Sequence, residues 1–179
     1  DLRAHMQSFP HGDVMASLFL VFRESIEQCN EDKRYFLEKL GQMNKIAEAM
    51  GDYLKYLNDK SIELEKKTVS EMKQKGKDFR AGETTINGPV EERSFDTSGV
   101  GADGEAISTT QNRTGVNNTA LGAMIKKVET DMETVRNKRQ EFQTMFENFD
   151  QKVNQLFQIL STVLKSKKEM ASAVTRNLL

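Results

Sequence analysis

The sequence predicts an all-α protein: a long antiparallel two-helix coiled-coil hairpin with an irregular or partly β exposed middle region. Three observations carry this. Pro10 and Pro89 are the only prolines, and both lie outside the two long periodic segments. Eight of the 11 glycines fall between Gly76 and Gly122, which marks the middle of the chain as non-helical. The apolar residues on either side recur in steps of four and three, the spacing that keeps one stripe of a helix against a partner helix.

The first series is Phe22, Ile26, Cys29, Lys33, Phe36, Leu40, Met43, Ala47, Met50, Leu54, Leu57, Ser61, Leu64 and Thr68; 11 of the 14 positions are apolar. The second is Leu121, Ile125, Val128, Met132, Val135, Arg139, Phe142, Phe146, Phe149, Val153, Leu156, Leu160, Val163, Lys167, Met170, Val174 and Asn177, with 14 of 17 apolar. A helix over the second series runs about 60 residues, or roughly 90 Å at 1.5 Å per residue. Such a helix is not stable alone and needs a partner. Two helices of similar length suggest a hairpin with the middle region at its tip. The chain therefore divides into an N-terminal segment (1–12), a long N-terminal helix (13–76), a Gly- and polar-rich exposed insert (77–117) and a long C-terminal helix (118–179).

The insert has no helical period and is dominated by small polar residues, so it is expected to face solvent and make little core. Asn87 and Gly88 suit a tight turn between Thr84–Ile86 and Val90, although Pro89 weakens that pairing. Gly101 and Gly104 mark a point expected to accept insertions on the outside of an assembly. The alternative is that Ile86, Val90, Phe95 and Ile107 fold the insert against neighbouring subunits.

Charge and chemistry exclude several classes. With 26 basic and 27 acidic residues the net charge is −1, so no basic stripe for nucleic acid is expected. No apolar run reaches the roughly 18–20 residues of a membrane span. The chain starts at Asp1, so an upstream segment is an open expectation. Val14–Phe22 is its one continuous apolar run. As a signal-peptide core it is disfavoured by Asp13 before it and by the lack of a small-residue cleavage pattern after it. Export would then use a different route.

Gly99–Gly104 matches GxGxxG but lacks the preceding strand and following helix that a dinucleotide site needs. Asp96 and Asp103 do not have calcium-loop spacing. Asn112 and Asn117 begin N-glycosylation patterns that matter only in a eukaryotic secretory chain. His5 and His11 have no positioned partner, and Cys29 sits in the seam among acidic neighbours, where a thiolate is disfavoured. No catalytic residue, metal site or cofactor is expected.

The surplus apolar surface is more informative. Val14–Phe22 is apolar all round, and Phe157, Ile159, Leu160, Val163 and Leu164 broaden the second stripe. In an antiparallel hairpin these regions share one end. A helix apolar all round has to be buried all round. Residues 1–13 closing a bundle is one solution, but they are few and polar; burial against other copies of the chain is the favoured one. Candidate self-assembly residues are Leu18, Phe19, Phe22, Ile26, Leu156, Leu160, Val163, Met170 and Val174. Lys167 is expected roughly opposite Ile26, either fixing register or snorkelling to solvent.

The layout resembles the secreted filament proteins of type III secretion systems, the EspA-like family, and more distantly flagellin. The likeness is carried by Leu18–Asn30 (LFLVFRESIEQCN), Met43–Ala49 (MNKIAEA), Val153–Leu164 (VNQLFQILSTVL) and the helix that ends near Leu179. The resemblance implies a structural subunit of a bacterial, cell-surface-attached extracellular helical filament. It implies a homopolymer, kept from premature assembly by a dedicated chaperone. The alternative is a soluble coiled-coil adaptor, chaperone or needle-tip-like protein.

Overall fold

The computed structural model describes residues 14–177. Helix α1 spans Val14–Lys75 and helix α2 spans Asn118–Asn177. Between them lie two short 3-10 turns, Gly76–Asp78 and Ala81–Glu83, and two antiparallel strands, β1 (Val90–Val100) and β2 (Ala106–Arg113). The protein is thus mostly helical, with a small two-stranded sheet between two long helices. The expected segment 1–12 lies outside the described residues, as do Pro10, His5 and His11.

The helix ends follow from local chemistry. Gly76 takes φ 57°, the left-handed conformation that stops a helix, just after Lys73 and Lys75 have placed positive charge on the last turn of α1. Asn117 starts α2: its side-chain Oδ1 accepts the Ala120 N–H at 3.0 Å and its carbonyl accepts the Leu121 N–H at 2.9 Å.

The chain forms two compact units. One comprises Glu38–Glu141; the other comprises the described residues up to Leu37 and from Phe142 onward. In the Glu38–Glu141 unit three layers share one core. α1 supplies Met43, Ile46, Met50, Tyr53, Leu57 and Leu64, α2 supplies Leu121, Met124, Val128 and Val135, and the insert supplies Ile86, Val90 and Val116. Burying a side chain of this size contributes about 1.5–3 kcal/mol. The insert therefore adds more to the core than its composition predicts, although Ile107–Gly115 stays exposed. It folds back onto its own helices, because Ile86 and Val90 give it apolar residues that those helices can cover.

The ribbon register is Val90↔Arg113, Glu91↔Asn112, Glu92↔Gln111, Arg93↔Thr110, Ser94↔Thr109 and Phe95↔Ser108, with an irregularity before Val100↔Ala106. Its turn falls at Gly101–Glu105, where the Gly101 N–H bonds the Glu105 carbonyl at 2.8 Å and Gly104 takes φ 79°. The GxGxxG match thus spans the end of β1 and the hairpin turn: contrary to expectation a strand does precede it, but a second strand and not a helix follows, so it is no dinucleotide site. Asn87 and Gly88 are exposed and form a bend, not the hairpin turn; Thr85 bridges Asn117 across the base of the insert instead.

In the second unit α1 and α2 also meet side by side. Lys33 is bonded to Asp150 and its ammonium lies 5.2 Å from the Phe146 ring centroid. The Phe36 ring stacks on Phe149 at 5.5 Å and leans on Phe142 at 6.0 Å. With Lys33 on Asp150, antiparallel helices put Phe157, not Lys167, level with Ile26, and Lys167 is exposed. Within Glu38–Glu141, Arg139 reaches Asn44 at 3.4 Å, which gives the same offset there. Within Glu38–Glu141, α1 overshoots the start of α2. Its last turns meet the insert instead, through Glu71 to Thr84 and Lys67 to the Thr85 carbonyl.

Candidate assembly surfaces

Every member of the first periodic series is buried or half-buried. In the second series Arg139 is exposed, and so is each position from Lys167 onward. The expected stripe therefore faces inward over most of both helices, and the last part of α2 has no cover among the described residues.

The candidate self-assembly residues split three ways. Ile26 is buried within its own unit, at 9% exposure, so it belongs to the internal contact and is not free for another copy. Phe22, Leu156, Leu160 and Val163 are half-buried. Leu18, Phe19, Met170 and Val174 are exposed, at 36%, 44%, 61% and 58%. Phe157, Ile159 and Leu164 join them as exposed apolar residues of the same unit. In that unit only Ile26 and Val153 are buried among the described apolar residues, and neither completely.

The insert presents a second surface. The Tyr53 hydroxyl donates to the Glu91 carbonyl at 2.8 Å and accepts the Arg93 N–H at 2.9 Å, while the Tyr56 hydroxyl accepts the Glu91 N–H at 3.0 Å. These bonds close the edge of β1 that faces away from β2. Lys138 from α2 adds a bond to the Thr97 carbonyl at 3.0 Å, and Lys127 one to Ser94 Oγ at 3.0 Å. The Tyr53 ring stacks 6.0 Å from Tyr56 and 5.9 Å from Phe95, and the Arg93 guanidinium lies over it at 5.7 Å. Burial pushes the Tyr53 phenol up from its ordinary value, because the anion would lose solvation. Strand β2, by contrast, is exposed from Ile107 to Arg113. Of the marked insert positions, Asn87 and Gly88 are exposed and Gly101 and Gly104 are half-buried.

Sequence reasoning missed the tyrosine clamp. Its signal is a second heptad, Lys39, Ile46, Tyr53, Lys60 and Lys67, running beside the seam, whose members are buried or half-buried. On α2 the matching signal is Met124, Asp131 and Lys138.

Chemically, a groove of about 420 Å³ runs beside Ala47, Leu54 and Met132, with Glu129, Glu133, Arg136 and Arg139 among its lining residues. Among the described residues no group of three or more His, Cys, Asp or Glu side chains could hold a metal ion. No helix among them is long and apolar enough to cross a membrane. No protein-family model, curated protein or solved structure matches the chain.

Proposed function

We propose that the chain is a structural subunit of a self-assembling extracellular helical filament, in the manner of the EspA-like proteins it resembles. In this reading α1 and α2 pair as an antiparallel coiled coil, their apolar ends are buried against further copies, and the ribbon decorates the outside. One observation carries it: the unequal burial of the two units. Glu38–Glu141 buries most of its core-facing apolar residues under its own third layer, with Ile62, Val69, Met72 and Ile107 left exposed, whereas the other unit buries only Ile26 and Val153 among its described apolar residues and leaves Leu18, Phe19, Phe157, Ile159, Leu164, Met170 and Val174 exposed. A concentration of exposed large apolar side chains supports an association site.

The test is negative-stain microscopy and sedimentation of the purified chain beside Phe19→Asp. Each apolar side chain buried on assembly contributes about 1.5–3 kcal/mol, and a carboxylate in its place reverses that. Fibres from the parent chain, and no fibres from a Phe19→Asp chain that keeps its helical circular dichroism, support the reading. A small oligomer whose size does not change with concentration points to the adaptor alternative.

A further inference from the structure

We propose that β2 is the contact strand of a two-fold dimer, in which β2 of one copy pairs antiparallel with β2 of another about Thr110. The inference shares no residue with the apolar helix ends and does not rest on the filament reading.

The ribbon has two outer edges, and only one is closed. The Glu91 and Arg93 N–H groups point away from β2, since they bond to the hydroxyls of Tyr56 and Tyr53. In an antiparallel pair, residues opposite each other share the same direction of backbone bonding. Glu91 lies opposite Asn112, Arg93 opposite Thr110 and Phe95 opposite Ser108. The N–H and C=O groups of Ser108, Thr110 and Asn112 therefore point outward from the far edge. All three residues are exposed, and no hydrogen bond from elsewhere in the described chain reaches their backbone.

Natural sheets protect such an edge with lysine, proline, a bulge or an inward charge. Ile107–Asn112 (ISTTQN) has none of these. The one charge in the strand, Arg113, is held by Glu92 at 2.6 Å.

The strand is complementary to itself. A two-fold axis at Thr110 sets Thr110 against Thr110, and Ser108 against Asn112 of the other copy. All outward-pointing positions then fall in hydrogen-bonded pairs together, and each donates and accepts once. The intervening pairs become Thr109 with Gln111 and Ile107 with Arg113, so no like charges face each other. Thr–Thr and other hydroxyl or amide pairs are favourable across antiparallel strands. The contact is isologous, so it closes at two copies. It yields a four-stranded sheet whose outer edges are both capped by the tyrosines of α1.

The test uses the full chain with Cys29→Ser to remove the native thiol and Phe19→Asp to suppress association through the helix ends. Thr109→Cys and Gln111→Cys chains are mixed and oxidised. Positions 109 and 111 face each other as a non-hydrogen-bonded pair, about 4.5 Å apart at Cα and within the span of a disulfide. The mixture should form covalent heterodimers, and either chain alone far fewer. Separately, Thr110→Pro removes an outward N–H while leaving the ladder to β1 intact. It should weaken the dimer about tenfold or more in sedimentation equilibrium, since two hydrogen bonds go together. Absence of the 109–111 cross-link, or homodimers dominating it, overturns the proposal. So does a folded Thr110→Pro chain that sediments like its parent. Cross-linking that persists in the Phe19→Asp background while the parent forms no fibres would sink the filament reading alone.

Discussion

Replacing Tyr53 with phenylalanine removes one oxygen and two backbone bonds. The hydroxyl accepts from the Arg93 N–H at 2.9 Å and donates to the Glu91 carbonyl at 2.8 Å, and the side chain carrying it is 2% exposed. A typical intramolecular hydrogen bond contributes about 0.5–1.5 kcal/mol net, and a partner left stranded away from water costs about 1–3 kcal/mol. Two bonds to backbone groups that stay in place put Tyr53→Phe at about 2–3 kcal/mol. Tyr56→Phe removes one bond, to the Glu91 N–H, from a side chain that is only half-buried, and should cost about 1 kcal/mol. The pair is its own control, because both changes delete the same atom from neighbouring tyrosines whose rings stack 6.0 Å apart. Urea unfolding followed by circular dichroism gives the two energies. Amide hydrogen exchange locates the loss: the Arg93 N–H should lose protection in Tyr53→Phe and keep it in Tyr56→Phe. If Tyr53→Phe costs no more than Tyr56→Phe, or the Arg93 amide exchanges no faster, the hydroxyl does not hold the ribbon edge and the clamp is wrong.

The remaining predictions concern the same region and the helix ends. The Tyr53 phenol has its pKa raised on folding, so its contribution is fully present below the unfolded value of about 10 and is lost as pH rises through the folded value. Lys60, raised by its hydrogen bond to Glu63, slopes the same way; the alkaline loss of stability should therefore shrink in Tyr53→Phe without vanishing, measured by unfolding at stepped pH. Gly104→Ala puts a side chain at φ 79°, which should cost about 1 kcal/mol in ribbon protection by hydrogen exchange; the new Cβ meets only the mobile tip of Lys45, at 3.0 Å. Phe19→Asp should abolish fibres with helical circular dichroism retained, and Thr110→Pro should dissociate the β2 dimer.

Both long helices were legible because their signal is redundant. Each seam repeats one rule many times, so single exceptions such as Ser61 or Lys33 do not disturb it. Lys33 itself was ambiguous for a physical reason: whether a seam lysine snorkels or pairs depends on what stands opposite. Only the offset between the helices brings Asp150 there. Within Glu38–Glu141 the same offset goes with how far α1 continues past the start of α2, a quantity carried by the insert and not by either periodicity. The insert's sparse apolar residues predict little core. Ile86, Val90 and Val116 are nevertheless enough, since the helices already offer a second stripe, Ile46 and Tyr53 on α1 and Met124 on α2, that the seam alone cannot cover. Strand β1 hides its nature behind Glu91, Glu92 and Arg93; the outward backbone groups of Glu91 and Arg93 are met by tyrosine hydroxyls distant in sequence.

A uniform heptad pattern therefore produces a non-uniform surface. Two apposed helices bury one stripe each, and any further apolar residue needs a third layer. Between Glu38 and Glu141 that layer is encoded in the same chain, and its attachment is polar as well as apolar: tyrosine hydroxyls, Lys67, Lys127 and Lys138 each take a specific partner in the insert. Beyond those residues the seam continues through Phe36, Phe149 and Val153, but the flanking positions hold Phe19, Phe157, Ile159 and Leu164 with no layer over them among the described residues. Covering one stretch gives the helices a folded anchor and leaves the other with exposed apolar side chains, the surface on which the proposed association rests. The polar β2 edge and the apolar helix ends then differ in kind. The first relies on directional backbone bonds that fix register, and the second on area, which tolerates small shifts between neighbours. Salt should separate them little, because neither depends on exposed ion pairs. Proline in β2 and a carboxylate at Phe19 should separate them cleanly, since each removes what only one of the two contacts uses.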